Sequence, residues 1–94
     1  VLYVDLLRHD VQYHLAGGEV LGMRGSLKAA EAQLAELAPG GFVRVSSGCL
    51  VNMAQVARIE ADGVTSADGQ KIFFSRSQKK RALEALANFM GRSM

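Results

Sequence analysis

Phe42-Val-Arg-Val-Ser-Ser-Gly-Cys-Leu-Val-Asn52 is the stretch on which the fold turns. Residues 42–45 are aromatic and β-branched around one arginine, the composition of a strand. Ser46-Ser47-Gly48 is turn chemistry, Cys49-Leu-Val51 is a second short apolar piece, and Asn52 belongs in a turn, where its side chain bonds its own backbone.

Working toward the C-terminus, residues 55–60 read as another strand, and Asp62-Gly63 and Asp68-Gly69 are the strongest hairpin signals in the chain. Asp-Gly supplies the two positive φ angles that a type I′ turn requires. They bracket a strand at residues 64–67 and launch one at 70–74. Ser75-Arg76-Ser77-Gln78 has capping-box spacing, with the Ser75 hydroxyl and the Gln78 amide expected to satisfy each other's backbone donors. Ala82, Leu83, Leu86, Phe89 and Met90 then share one face of a helix that Gly91 is expected to end.

Toward the N-terminus, Pro39-Gly40-Gly41 stops a helix capped by Ser26, with Leu27, Ala30, Leu34 and Leu37 at helical spacing. Before it runs a meander: residues 1–7, a turn at Arg8-His9-Asp10, residues 11–15, a turn at Ala16-Gly17-Gly18, and residues 19–24. The order is strands, helix, strands, helix. The expected fold is mainly β with two helices, an α+β arrangement with one internal and one C-terminal helix, and no βαβ pattern that would call for a parallel sheet.

Ninety-four residues, 49% apolar and 21% charged, make one domain spanning 1–94 and not a disordered segment. A chain this short has little apolar area to spare for a deep substrate cavity. No apolar run approaches the roughly 18 residues of a membrane span, and no signal peptide is visible. The lone Cys49 has no disulfide partner and no second cysteine at metal-ligand spacing, so a core position in a reducing compartment, the cytoplasm, is expected. Val1 already lies within a strand pattern, which suggests a piece of a larger protein, its C-terminal output domain.

No catalytic constellation stands out. His9 and His14 lie five apart, on opposite faces of an extended strand, and share no metal site. Asp5, Glu60 and Asp62 form no recognisable acid–base pair, and Gly17-Gly18 lacks a phosphate-loop pattern. No cofactor, metal or small-molecule substrate is expected, and an isolated hydrolase ranks last.

The formal charge of +2 conceals an asymmetry. Residues 1–68 carry five basic and eight acidic side chains, a net −3, whereas residues 69–94 carry six basic and one acidic, a net +5. Arg76, Lys79, Lys80 and Arg81 crowd the start of the last helix, where the dipole disfavours cations by about 0.3–1 kcal/mol each. That arrangement suits an anion such as a phosphate backbone.

At these residues the chain resembles the LytTR DNA-binding domain of bacterial response regulators. The resemblance rests on residues 42–52, Val56-Ala-Arg-Ile59, the Asp-Gly hairpin and Ile72-Phe-Phe-Ser-Arg76, with Leu2-Tyr-Val-Asp5 and Gly25-Ser-Leu27 fitting the family's opening. Arg44, Leu50, Val51, Asn52, Ser75 and Arg76 stand where its pattern wants them. It implies small packed antiparallel sheets whose loops enter successive grooves on one face of DNA. It further implies that Arg76 reads bases, that Lys79 meets the backbone, with Lys80 beside it in the basic cluster, and that the loops Arg8-His9-Asp10 and Ser46-Ser47-Gly48 approach the duplex. The implied partners are double-stranded promoter DNA, a second copy side by side on imperfect direct repeats, and an upstream receiver domain or membrane sensor.

One departure stands out. Where the family has His-Arg-Ser-aromatic, this chain has Ser46-Ser47-Gly48-Cys49, and Ser47 replaces a longer side chain that would reach DNA. The alternative is accordingly a protein-interaction or dimerisation module that has lost base reading.

Overall fold

The computed structural model describes residues 1–92. Eight strands and two helices follow in the order β1 (Tyr3–Leu7), β2 (Asp10–His14), β3 (Val20–Arg24), α1 (Leu27–Leu37), β4 (Phe42–Ser46), β5 (Cys49–Asn52), β6 (Val56–Glu60), β7 (Gly63–Ser66), β8 (Lys71–Phe73) and α2 (Lys79–Arg92), with a 3₁₀ turn at Met53–Gln55. Two antiparallel sheets result, one ordered β3-β2-β1-β5-β4 and one ordered β6-β7-β8. The mainly β architecture with two helices is the one expected. No helix among the described residues is long and apolar enough to cross a membrane.

Strand alternation builds two cores on opposite faces of the larger sheet. Val4, Val11 and Leu50 face α1 and meet Leu27, Ala30 and Leu34, whereas Leu37, expected on the same face, is 82% exposed. Tyr3, Val43, Val45, Cys49 and Val51 face the other way, onto Val64 of the smaller sheet and Ala82 and Leu86 of α2. The interior strand β5 is therefore buried on both faces, which is why Cys49-Leu-Val51 is an apolar run. Leu50 and Leu86 have no exposed surface, and burying a leucine stabilises by roughly 1.5–3 kcal/mol.

Asn52 holds the exit from β5. Its Oδ1 accepts the Ala54 N–H at 3.1 Å, and its Nδ2 donates to the Val1 carbonyl at 2.8 Å. Its expected backbone-fixing role is what the structure shows, with a tie to the N-terminus besides.

Four local expectations are corrected. Glu60 pairs with Gly63, so Ala61 and Asp62 occupy the turn, and neither has positive φ. Gly63 is needed for another reason: a Cβ there would collide with the Ile72 carbonyl. At the second Asp-Gly only Gly69 is left-handed, with φ +89°, while Asp68 Oδ1 accepts the Gln70 N–H at 3.0 Å, so type I′ does not apply there either. The capping box does not form: the Ser75 hydroxyl faces that of Ser77 at 3.4 Å, and the Ser75 carbonyl accepts from the Gln78 and Lys79 N–H groups. Gly91 lies inside α2 instead of ending it, since a glycine without left-handed φ leaves the helical ladder intact.

Candidate nucleic-acid interface

Register alone brings the flagged turns together. Asp5 pairs with Cys49, so the C-terminal end of β1 lies beside the N-terminal end of β5. The turn of Arg8 and His9 follows the first, and the turn of Ser47 and Gly48 precedes the second. Both emerge from one end of the sheet. The Ser75 N–H donates to the Val45 carbonyl at 2.9 Å, which fixes the segment carrying Arg76 against the same end of β4. His9, Asp10, Ser46, Ser47, Gly48 and Arg76 thus gather from three connections separated by most of the chain length.

The β4–β5 turn is fastened. A register shift between Arg44 and Ser46 interrupts the ladder, and side chains take over: Ser46 Oγ accepts the Gly48 N–H at 3.3 Å, and Arg44 Nη1 donates to the Ser47 carbonyl at 3.3 Å. Arg44 Nη2 also donates to Glu31 Oε1 of α1 at 3.0 Å. The Ser47 side chain is exposed. Cys49, just beyond, is buried, and burial with the nearby Asp5 charge pushes its thiol up to about 12, which leaves it protonated and unreactive at neutral pH.

The β1–β2 turn is open. Arg8 adopts φ +57°, an uncommon left-handed conformation for a residue with a Cβ. Arg8, His9 and Asp10 are exposed, and the His9 carbonyl accepts the Gly25 N–H at 3.5 Å. His14 stands apart from the turn: it bonds Asp5 Oδ1 through Nε2 at 2.8 Å and stacks on Tyr3 with ring centroids 4.1 Å apart.

Arg76 is exposed in the turn before α2, and Lys79, Lys80 and Arg81 are exposed in the helix's first turn, which contains no acidic residue. Lys79 is partly engaged toward the smaller sheet. The Asp62 carboxyl is held below its ordinary range mainly by the hydrogen bond from Lys71, with Lys79 adding a smaller attraction. Lys71 is raised in turn by Glu60 and Asp62, each 3.0 Å away, and sits 5.2 Å over the ring of the exposed Phe73.

Three further arginines stand at this end, of which the sequence placed Arg8 in the β1–β2 loop and Arg44 in the family pattern without giving either a DNA contact, and did not single out Arg24. Arg8 lies in the turn itself, Arg24 pairs with Asp10 across β2 and β3, and Arg44 underlies the Ser47 turn. The signal for Arg24 was present, because the hairpin centred on Gly17 sets residues 10 and 24 opposite each other. Among the described residues no group of acidic, histidine or cysteine side chains could hold a metal ion.

A family model described as the LytTr DNA-binding domain matches residues 1–87. No curated protein matches the chain. Among solved structures, the chain is similar to the LytTr DNA-binding domain of a protein described as a methyl-accepting/DNA response regulator from Bacillus cereus. That match has a TM-score of 0.80 and 18% identity, covering 92% of this chain and 80% of the other. At that identity the likeness is one of fold.

Proposed function

Because the chain belongs to the LytTr DNA-binding domain family, we propose that it binds double-stranded promoter DNA with the turns at one end of its larger sheet, as the output domain of a transcription regulator. The observation that carries this reading is the convergence of the β1–β2, β4–β5 and β8–α2 connections at that end, beside the cationic start of α2.

The chemistry divides by side chain. Arg76 has the fork that grips guanine O6 and N7 in a major groove, while Lys79 and Lys80 serve as point charges for phosphates. Ser47 offers a short hydroxyl that donates to a phosphate or a base edge, and its reach limits it to a closely approached duplex. His9 and Asp10 border a second groove. Two copies lie side by side on imperfect direct repeats, and an upstream receiver domain or membrane sensor in the same protein controls their pairing in the cytoplasm.

The activity is binding, and selection tests it. Enrichment from a random duplex library is expected to yield one motif repeated in the same orientation at a spacing near one helical turn. A flat profile, with only weak micromolar binding at physiological salt, would refute specific reading.

A second reading, a protein-contact module, draws support from apolar side chains left open beside α1. Leu21, Met23 and Leu37 are 53%, 59% and 82% exposed and line one groove with Tyr13. This surface lies on the α1 face, so it competes with DNA reading only if the selection comes back flat.

A further inference from the structure

We propose that Arg44 is a positioning residue that sets the β4–β5 turn for DNA, with Glu31 of α1 as its anchor; this rests on the DNA-binding reading above. The ladder that leads into this turn is irregular, although Ser46 still pairs with Cys49 at its base. Pairing of β4 with β5 shifts register between Arg44 and Ser46, and the Val45 carbonyl at the shift accepts the Ser75 N–H. Beyond that closing pair, the position of Ser47 is set by side chains.

Arg44 supplies the missing tie from below. One nitrogen of its planar fork donates to the Ser47 carbonyl at 3.3 Å and another to Glu31 Oε1 at 3.0 Å. Glu31 is itself fixed, because α1 is locked to the sheet by Leu27, Ala30 and Leu34 on its buried face. A rigid helix thus holds a turn through a single guanidinium. With 26% of its side-chain surface exposed, Arg44 is turned toward α1, and its charge is matched by Glu31.

The pair also bears on Arg76. Arg44 fastens Ser47, and the carbonyl of the next residue, Val45, accepts the Ser75 N–H, so a shift at the end of β4 reaches both connections. An exposed ion pair contributes about 0–1 kcal/mol to stability. Its consequence is geometric: a contact made to a base edge is sensitive to displacements well under the width of an atom.

The test uses the sign of an electrostatic effect. Removing a carboxylate from a DNA-binding surface ordinarily tightens binding, because one repulsion of the phosphates is lost. The positioning role predicts the opposite for Glu31→Ala: affinity for the selected duplex, followed by fluorescence anisotropy, falls roughly three- to tenfold, on the scale of part of one base contact. Glu36→Ala, the same charge change on an exposed position of α1, is the control and should leave affinity unchanged or slightly higher.

Arg44→Ala should weaken binding at least as much as Glu31→Ala, with an unaltered salt slope, since no phosphate contact is removed. The double exchange Glu31→Arg with Arg44→Glu separates positioning from stability. It restores the ion pair and the melting temperature, but a carboxylate cannot donate to the Ser47 carbonyl, so affinity stays low. If Glu31→Ala tracks Glu36→Ala, or if the exchanged pair binds as wild type does, the proposal is overturned. A wild-type domain that selects no duplex overturns the DNA reading as well, which is a distinguishable result.

Discussion

The two hairpin turns that leave the same end of the larger sheet are held in opposite ways. The β4–β5 turn rises from Val45, Cys49 and Leu50, all buried, and is tied by the Ser46 hydroxyl and the Arg44 guanidinium. The β1–β2 turn rises from Leu6 and Leu7, which are 42% and 54% exposed, and it carries a left-handed arginine. Reading a base edge requires fixed geometry, whereas following a phosphate backbone tolerates adjustment. One sheet thus presents a fastened turn beside an open one, which under the proposed DNA binding suits the first to base edges and the second to phosphates.

The largest test of this contrast is in the core. Leu50→Ala removes a fully buried side chain beneath the fastened turn and should cost about 2–5 kcal/mol in urea unfolding. Leu7→Ala, at the base of the open turn, should stay within about 0.5 kcal/mol. Equal losses would mean that the two turns share one packing environment.

Arg8 sharpens the same contrast from the other side. Arg8→Gly relieves a left-handed non-glycine residue and should raise stability by up to about 1 kcal/mol while weakening DNA binding. A destabilised variant would show that the arginine side chain supports the turn instead of straining it.

The next effect concerns pH. Cys49 ionises near 9 when unfolded but near 12 in the fold, mainly because burial disfavours the thiolate. The folded state thus holds its proton where the unfolded state releases it. Stability from this source is complete below pH 9 and declines as pH rises from 9 toward 12, with Tyr3, raised chiefly by burial, acting in the same direction from pH 10. Chemical denaturation between pH 7 and 10.5 should show the decline, and Cys49→Ala should flatten it. Rapid thiol labelling of the folded protein would contradict the buried environment beside the fastened turn.

The smallest effect is expected at Lys79, whose charge is shared with Asp62. Lys79→Ala should weaken all duplexes alike and reduce the salt slope by about one charge or less.

The element order was legible because turn residues punctuate nearly every boundary and the two helices carry clear 3.6-residue patterns. Leu27, Ala30 and Leu34 are the buried face of α1, as their spacing implied. Pairing between distant strands was not legible. Nothing local says that β1 lies between β2 and β5, and that one adjacency is what brings His9 beside Ser47. The Asp62-Gly63 signal misled for a similar reason: Gly63 is required by close approach to β8, a tertiary demand that mimics a turn preference. In the candidate interface, Arg76 was singled out by the cationic helix start as well as by family resemblance, Ser47 and His9 by resemblance, and Arg44 only as part of a pattern. Its partner Glu31 lies 13 residues away in a helix, beyond any local spacing rule.

The central claim, that this end of the sheet reads DNA, is tested most directly by anisotropy titration of Arg76→Ala against the selected duplex and a scrambled one. Arg76 is exposed, so the variant should fold as the wild type does. The account predicts that the selected duplex loses its advantage while weak binding to both persists; an undiminished preference for the selected duplex would contradict it.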